Sequence, residues 1–159
     1  MLDALRNLRR GWRGLAEKDG GHCPVCDRWG KVYPRILNKT MVKSLIWLCQ
    51  EQIRTKYDWI DIPNTGPRFI IRSNQLPVLT SWGLVERKLK DEVKGAKYSG
   101  LWRPTDKGWD FYHGTIKVPK KAFAYNNEVE GYSKELVRID QCFDTYFDYR
   151  EVMSSRFDD

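Results

Sequence analysis

The chain has 159 residues and weighs 18.8 kDa, with 41% hydrophobic and 13% aromatic residues. That composition excludes a disordered chain, and no apolar run approaches the roughly 20 residues of a membrane-spanning helix. Of the net +7 charge, residues 1–125 carry 24 basic and 12 acidic side chains, whereas residues 126–159 carry 4 and 9. A basic body ahead of an acidic tail points to a polyanionic partner for the body; the plain alternative is a solvated surface.

Arginines stand where a secretory leader needs an apolar stretch, and no sequence period recurs. The expectation is a cytoplasmic protein with no membrane partner. Residues 2–15 place Leu2, Leu5, Leu8, Trp12 and Leu15 on one helical stripe, with Arg6, Arg9, Arg10 and Arg13 over the rest. Such a basic amphipathic helix can lie on membranes, phosphates or a partner. The simplest expectation is a terminal helix docked on its own domain or on a dimer mate, its arginines solvated.

Four cysteines follow, Cys23, Cys26, Cys49 and Cys142. Without a secretory segment a disulfide framework is a poor reading. Cys23-Pro24-Val25-Cys26, flanked by Gly20, Gly21 and Gly30, has the spacing of a zinc knuckle, in which a tight turn aims two thiolates at one metal. A structural zinc needs four ligands. The remaining candidates are His22, Cys49, His113 and Cys142, of which both cysteines fall on helical runs as small core residues. One structural zinc on Cys23 and Cys26 with unidentified co-ligands, and a half-lost knuckle, both stay open. Redox chemistry lacks the βαβ context of a thioredoxin-like motif.

Lys31 to Tyr33 reads as a short segment ended by Pro34. Asn38 or Thr40 caps the main core helix over 39–54, whose apolar face is Met41, Val42, Leu45, Ile46, Leu48, Cys49 and Ile53. Residues 57–62 alternate as a strand ended by Pro63, which places Asp58 and Asp61 on opposite faces. Asn64 to Pro67 reads as a turn, and Arg68 to Arg72 is an apolar segment of no assigned state. Ser73 is a good N-cap for a helix over 74–82, with Pro77 near its first turn and Gly83 at its end. A strand over 84–89, a basic loop containing Lys90, Lys94 and Lys97, and a returning strand at Leu101 to Arg103 complete a hairpin. Pro104 stops it and Thr105 caps a helix over 106–113. Residues 116–119 and 122–125 are strand-like, Asn126-Asn127 signals a hairpin turn, and residues 128–130 return. Ser133 then caps a helix over roughly 134–143, followed by an acidic aromatic stretch. Trp82, Trp102 and Trp109 fall on core-like positions.

The run from Ser73 to Gly108 reads SNQLPVLTSWGLVER, a basic loop, then LWRPTDKG. It resembles the recognition helix and wing of winged helix-turn-helix domains, the MarR-like group above all. Gly83-Leu84-Val85 stands at that family's turn into strand two, and Thr105-Asp106-Lys107-Gly108 at its Thr-x-x-Gly helix start. The resemblance covers about 40 residues closely and 38–113 loosely and implies a winged-helix core; with the elements read on either side, the expectation is an α+β fold with three parts. These are an N-terminal helix and CPVC loop (1–36), a winged-helix core (37–114), and a β-hairpin with an acidic helical extension (115–159). The resemblance also implies a double-stranded DNA-binding transcriptional regulator, expected as a homodimer because one recognition helix reads few bases. Helix 73–82 would enter the major groove, where Asn74 and Gln75 suit adenine and Arg72 guanine or phosphate, with Thr80 beside them. In the wing, 85–103, the phosphate contacts would be Arg87, Lys88, Lys90, Lys94, Lys97 and Arg103.

The chain departs from the family just before the recognition helix. Residues 63–72 contain Pro63, Gly66 and Pro67 and leave room for at most one short turn of helix. Winged helices that lose this second helix often bind proteins, so the alternative is a protein-binding adaptor or a phage-encoded inhibitor of a host protein. The whole chain also resembles small bacteriophage-encoded proteins of unassigned activity, which would place it in the host cytoplasm. Two histidines, no G-x-S-x-G, no Walker loop and no H-E-x-x-H give no expectation of an enzyme.

Overall fold

In a computed structural model, residues 2–17, 20–89, 98–125 and 128–143 are described. Helix α1 (Leu2–Glu17) extends just past the expected stripe. Strands β1 (Gly21–His22) and β2 (Trp29–Gly30) pair antiparallel around the Cys23–Cys26 turn. β3 (Tyr33–Ile36) comes next, and here the sequence reading is corrected: Pro34 lies inside a strand instead of ending one. β3 is the edge of its sheet, where a missing N–H disrupts no inner ladder.

Helix α2 (Lys39–Thr55) forms where expected. The Asn38 side chain accepts the Met41 N–H at 2.9 Å. At the other end Lys56 turns left-handed (φ 59°) and its N–H closes on the Gln52 carbonyl. Val42, Leu45, Ile46, Leu48 and Cys49 are fully buried, so α2 is the spine of the core.

The next stretch differs from expectation. The strand read over 57–62 shrinks to β4 (Ile60–Asp61), and 62–73 forms two short helices, α3 (Ile62–Thr65) and α4 (Arg68–Ser73). Asp61 caps α3, accepting the Asn64 N–H at 3.3 Å, and Pro63 sits in the first turn, where no donor is needed. Ser73 is not an N-cap but the last residue of α4, and Asn74 ends that helix in the left-handed region (φ 52°) with its N–H on the Ile70 carbonyl. The helix expected over 74–82 is therefore only a 3-10 helix, Pro77–Trp82, because Asn74 breaks the chain direction on one side and Gly83 (φ 69°) on the other.

β5 (Val85–Leu89) and β6 (Tyr98–Pro104) form the expected hairpin, and β6 also pairs with β4, giving a three-stranded antiparallel sheet in the order β4-β6-β5. Helix α5 (Asp106–Tyr112) follows at once. The Thr105 hydroxyl accepts the Gly108 N–H at 3.0 Å and donates to the Gly83 carbonyl, while the Thr105 N–H donates to Leu84 at 3.0 Å. A Cβ on Gly108 would run into the Leu84 carbonyl oxygen. The Thr-x-x-Gly signature thus has a physical cause: threonine caps the helix and glycine lets it press against the Gly83–Leu84 corner.

β7 (Val118–Pro119), β8 (Lys121–Tyr125), β9 (Glu128–Tyr132) and β10 (Leu136–Val137) complete the described chain. β8 pairs with β3 and β9, and Tyr125 stands opposite Glu128. The turn expected at Asn126-Asn127 lies outside the described residues, as does the aromatic stretch beyond 143. The helix expected over 134–143 is replaced by β10, which pairs with β7, and a 3-10 helix, Ile139–Cys142. The Ser133 hydroxyl that would cap such a helix instead accepts the Lys121 N–H at 3.0 Å, and Val137 is buried where β10 pairs with β7.

The architecture is α+β with one hydrophobic cluster. Val118, Ala122, Val137, Ile139 and Cys142 join α2, Trp82, Leu84, Trp102 and Phe111 in it. Trp82 and Trp102 are buried as expected, and Trp109 packs partly buried against the cluster. The Trp82 indole N–H donates to the Pro119 carbonyl at 2.7 Å. Replacing Gly108 by alanine should lower stability by about 1–3 kcal/mol through overpacking, and Thr105→Ala by about 1 kcal/mol through loss of the cap. The urea midpoint at unchanged m-value measures both.

Candidate nucleic-acid interface and cysteine turn

The hairpin carries its basic residues unequally. Arg87 and Lys88 are exposed on β5. The Arg87 guanidinium lies over the Trp102 ring at 5.2 Å and its Nε donates to the Ser99 carbonyl. The Lys88 ammonium stands 5.9 Å from the Trp59 ring centre. Arg103 is differently placed: it stacks on Trp59 at 4.1 Å and pairs with both Glu86 and Asp58, the latter at 2.9 Å. The Glu86 hydrogen bond, together with the carboxylate charges, holds the guanidinium above its ordinary pKa. Arg103 therefore braces β5, β6 and the chain before β4 with its charge already met. Lys90, Lys94 and Lys97 lie outside the described residues.

The residues expected on one recognition helix sit on three pieces of chain. Arg72 is exposed on the last turn of α4. Asn74 and Gln75 occupy the link. Asn74 is exposed, whereas Gln75 accepts from the Asn38 amide and donates to the Ser73 carbonyl, both at 3.4 Å. Thr80 is exposed on the 3-10 helix with its hydroxyl donating to Pro77 at 2.7 Å. The Ser73 hydroxyl is buried with no hydrogen-bond partner among the described residues, so it caps nothing.

The cysteine turn is closed by two backbone bonds, Cys23 N–H to Arg28 at 2.7 Å and Asp27 N–H to Cys23 at 2.8 Å, with Asp27 left-handed (φ 59°). Backbone N–H groups of Cys26 and Val25 hold the Cys23 thiol below its ordinary pKa, because they stabilise the thiolate. Cys26 is exposed. The other ligand candidates are elsewhere. Cys49 is buried in α2, which pushes its thiol well up, and burial takes the Cys142 thiol to about 12. His113 stacks on Trp109 at 5.8 Å. The His22 Nδ1 faces the Asp27 carbonyl at 3.0 Å, and the ring packs edge-on against Trp29. Among the described residues no group of three or more His, Cys, Asp or Glu side chains is placed to hold a metal, so only Cys23 and Cys26 of the zinc candidates come together.

A further feature was hidden in the sequence. Arg6, Arg9, Arg10 and Arg13 line a groove of about 480 Å³ with Trp12 and Tyr125. Trp12 anchors α1 by donating to the Gly21 carbonyl at 3.0 Å and meeting Tyr125 edge-on at 5.7 Å. Arg13 lies over Tyr125 at 5.0 Å and pairs with Glu130. The helical spacing of the arginines was visible, but the ring that closes the groove is far away in sequence. The expected docking of α1 is correspondingly narrow: Leu2, Leu5, Leu8 and Leu15 all remain exposed.

No family model, curated protein or solved structure matches the chain. With iodoacetamide under native reducing conditions, Cys23 and Cys26 should alkylate and Cys49 and Cys142 should not, all four reacting after denaturation. Between pH 6 and 8 Cys23 should react faster than an ordinary thiol because more of it is thiolate; peptide mass spectrometry reads both results.

Proposed function

We propose that this chain is a double-stranded DNA-binding protein, a transcriptional regulator of the winged helix-turn-helix kind, that lays the β5–β6 hairpin on duplex phosphates. One observation carries the reading. Helix, short strand, two short helices, 3-10 helix, hairpin and helix follow in order, with β6 between β4 and β5, and this hairpin projects Arg87 and Lys88. The sequence between β5 and β6 adds Lys90, Lys94 and Lys97. Arg103, neutralised by Glu86 and Asp58, serves the hairpin's shape. Arg72 and Asn74 supply the exposed donors nearest the 3-10 helix, which is too short to read many bases. Phosphate contact therefore supplies most of the affinity, and pairing of two copies would multiply what specificity there is.

The link at Gln75 and the 3-10 helix after it favour a second reading. Gln75 and Thr80 spend hydrogen-bonding capacity within the chain, as they would if this surface met a protein instead of base edges. That reading is an adaptor, or an inhibitor of a host protein if the chain is viral.

Fluorescence anisotropy with a labelled random-sequence duplex, titrated across salt, separates the two. The expected result is binding whose logarithm falls steeply with log salt. Neutralising Lys90, Lys94 and Lys97 to glutamine together should flatten the slope by about 3, at roughly 0.9 per phosphate contact. Absence of duplex binding even at low salt would discard the regulator and leave the adaptor.

A further inference from the structure

Zinc in a closed structural site takes four ligands, by preference cysteine and histidine. All four cysteines and both histidines of this chain fall on described residues. Cys49 and Cys142 are shut in the core, and among the described residues no third His, Cys, Asp or Glu is grouped with Cys23 and Cys26 to hold a metal. Of its cysteines and histidines, one copy thus offers a metal Cys23 and Cys26. The turn that carries them is nonetheless fixed in shape, closed by two backbone hydrogen bonds, Cys23 N–H to Arg28 and Asp27 N–H to Cys23.

The surroundings say what supplies the other half. A groove of about 310 Å³ runs beside the turn, walled by Leu5, Trp12, Val25 and Tyr125 with Arg9 and Arg28 along it. Leu5 and Val25 are 44% and 64% exposed although both are apolar. The half-made metal site and an uncovered apolar patch are one continuous surface at the tip of the molecule's cysteine turn. Four thiolates around one zinc leave two net negative charges, and two copies of Arg9 and Arg28 bring four guanidinium groups to the same place. An unrelated partner would need two cysteine or histidine ligands of its own, spaced for one metal; a second copy has two by symmetry.

We propose that Cys23 and Cys26 are half of a four-thiolate zinc site completed by the same two residues of a second copy, with Leu5 and Val25 packed across the two-fold axis. Each thiol gives its proton to solvent as it binds, four per zinc, and nothing is oxidised or reduced. The site does not depend on the reading of the hairpin as a duplex contact.

The test uses the full, reduced chain titrated with Co²⁺ and then Zn²⁺, followed by absorption and sedimentation. The expected result is one metal per two chains, with the intense cobalt–thiolate absorption of a tetrahedral site and a dimer that EDTA dissociates. Replacing Cys23 and Cys26 by serine should abolish both metal and dimer. Leu5→Glu should weaken the metal-loaded dimer at least tenfold while leaving the far-ultraviolet circular dichroism of the chain unchanged. One metal per chain on a monomer, no metal retained by reduced protein, or a dimer indifferent to EDTA would each overturn the proposal.

Discussion

The corner at Gly83–Leu84 is the constraint on which the arrangement of the hairpin depends. Gly83 turns left-handed, the Leu84 carbonyl receives the Thr105 N–H, and Thr105 returns its hydroxyl to Gly83. The two ends of the hairpin are thereby tied at its base, and α5 is pressed on at a distance only glycine permits. Trp102 and Val85 point from this base into the core. The exposed Arg87 and Lys88 lie further along β5, away from this base. The Arg103 pairings with Glu86 and Asp58 add a lateral brace. Being partly exposed they contribute little to stability, but they fix direction.

How much of this was legible depended on whether local chemistry or distant packing decides each segment. α1 and α2 were readable because apolar spacing and a capping asparagine agree. The hairpin and α5 were readable because Gly83, Pro104 and Thr105 punctuate them. Residues 62–73 were not: Pro63, Gly66 and Pro67 look like loop signals, yet Pro63 stands at a helix start and Pro67 just ahead of the next. The helix expected over 74–82 gives way to a shorter 3-10 helix because Asn74 tolerates either a helix start or a left-handed stop, and the stop accompanies burial of Leu76 and Leu79 in the core. The expected helix over 134–143 failed for a similar reason, since pairing with β7 is a contact no local pattern announces.

The candidate sites divide along the same line. The CPVC spacing announced two thiols facing one point, and the structure keeps them together. Nothing in the spacing could say that Cys49 and Cys142 would be withheld by the core. The arginines of α1 were equally plain, but the Tyr125 ring that gives them a wall arrives from β8, and the pairing of Arg13 with Glu130 from β9. Of the basic residues on the hairpin, Arg103 changed its meaning most, because its partners Asp58 and Glu86 come from different elements.

The core itself has an order in time. α2 packs against β4, β6 and α5, and the 3-10 helix Ile139–Cys142 reaches it from the far end of the described chain; Val118, Ala122 and Val137 join the same hydrophobic cluster. The Trp82 ring is likewise held by the Pro119 carbonyl. Such contacts span long sequence separations, and loop closure must precede any gain from them. During synthesis α2 would emerge with its apolar face bare, gain cover as β4, β6 and α5 appeared, and be completed when the 3-10 helix Ile139–Cys142 followed. The nascent chain would thus carry bare apolar surface until α5 had been made, and the short segments after α5 would act as a latch that makes the whole cooperative.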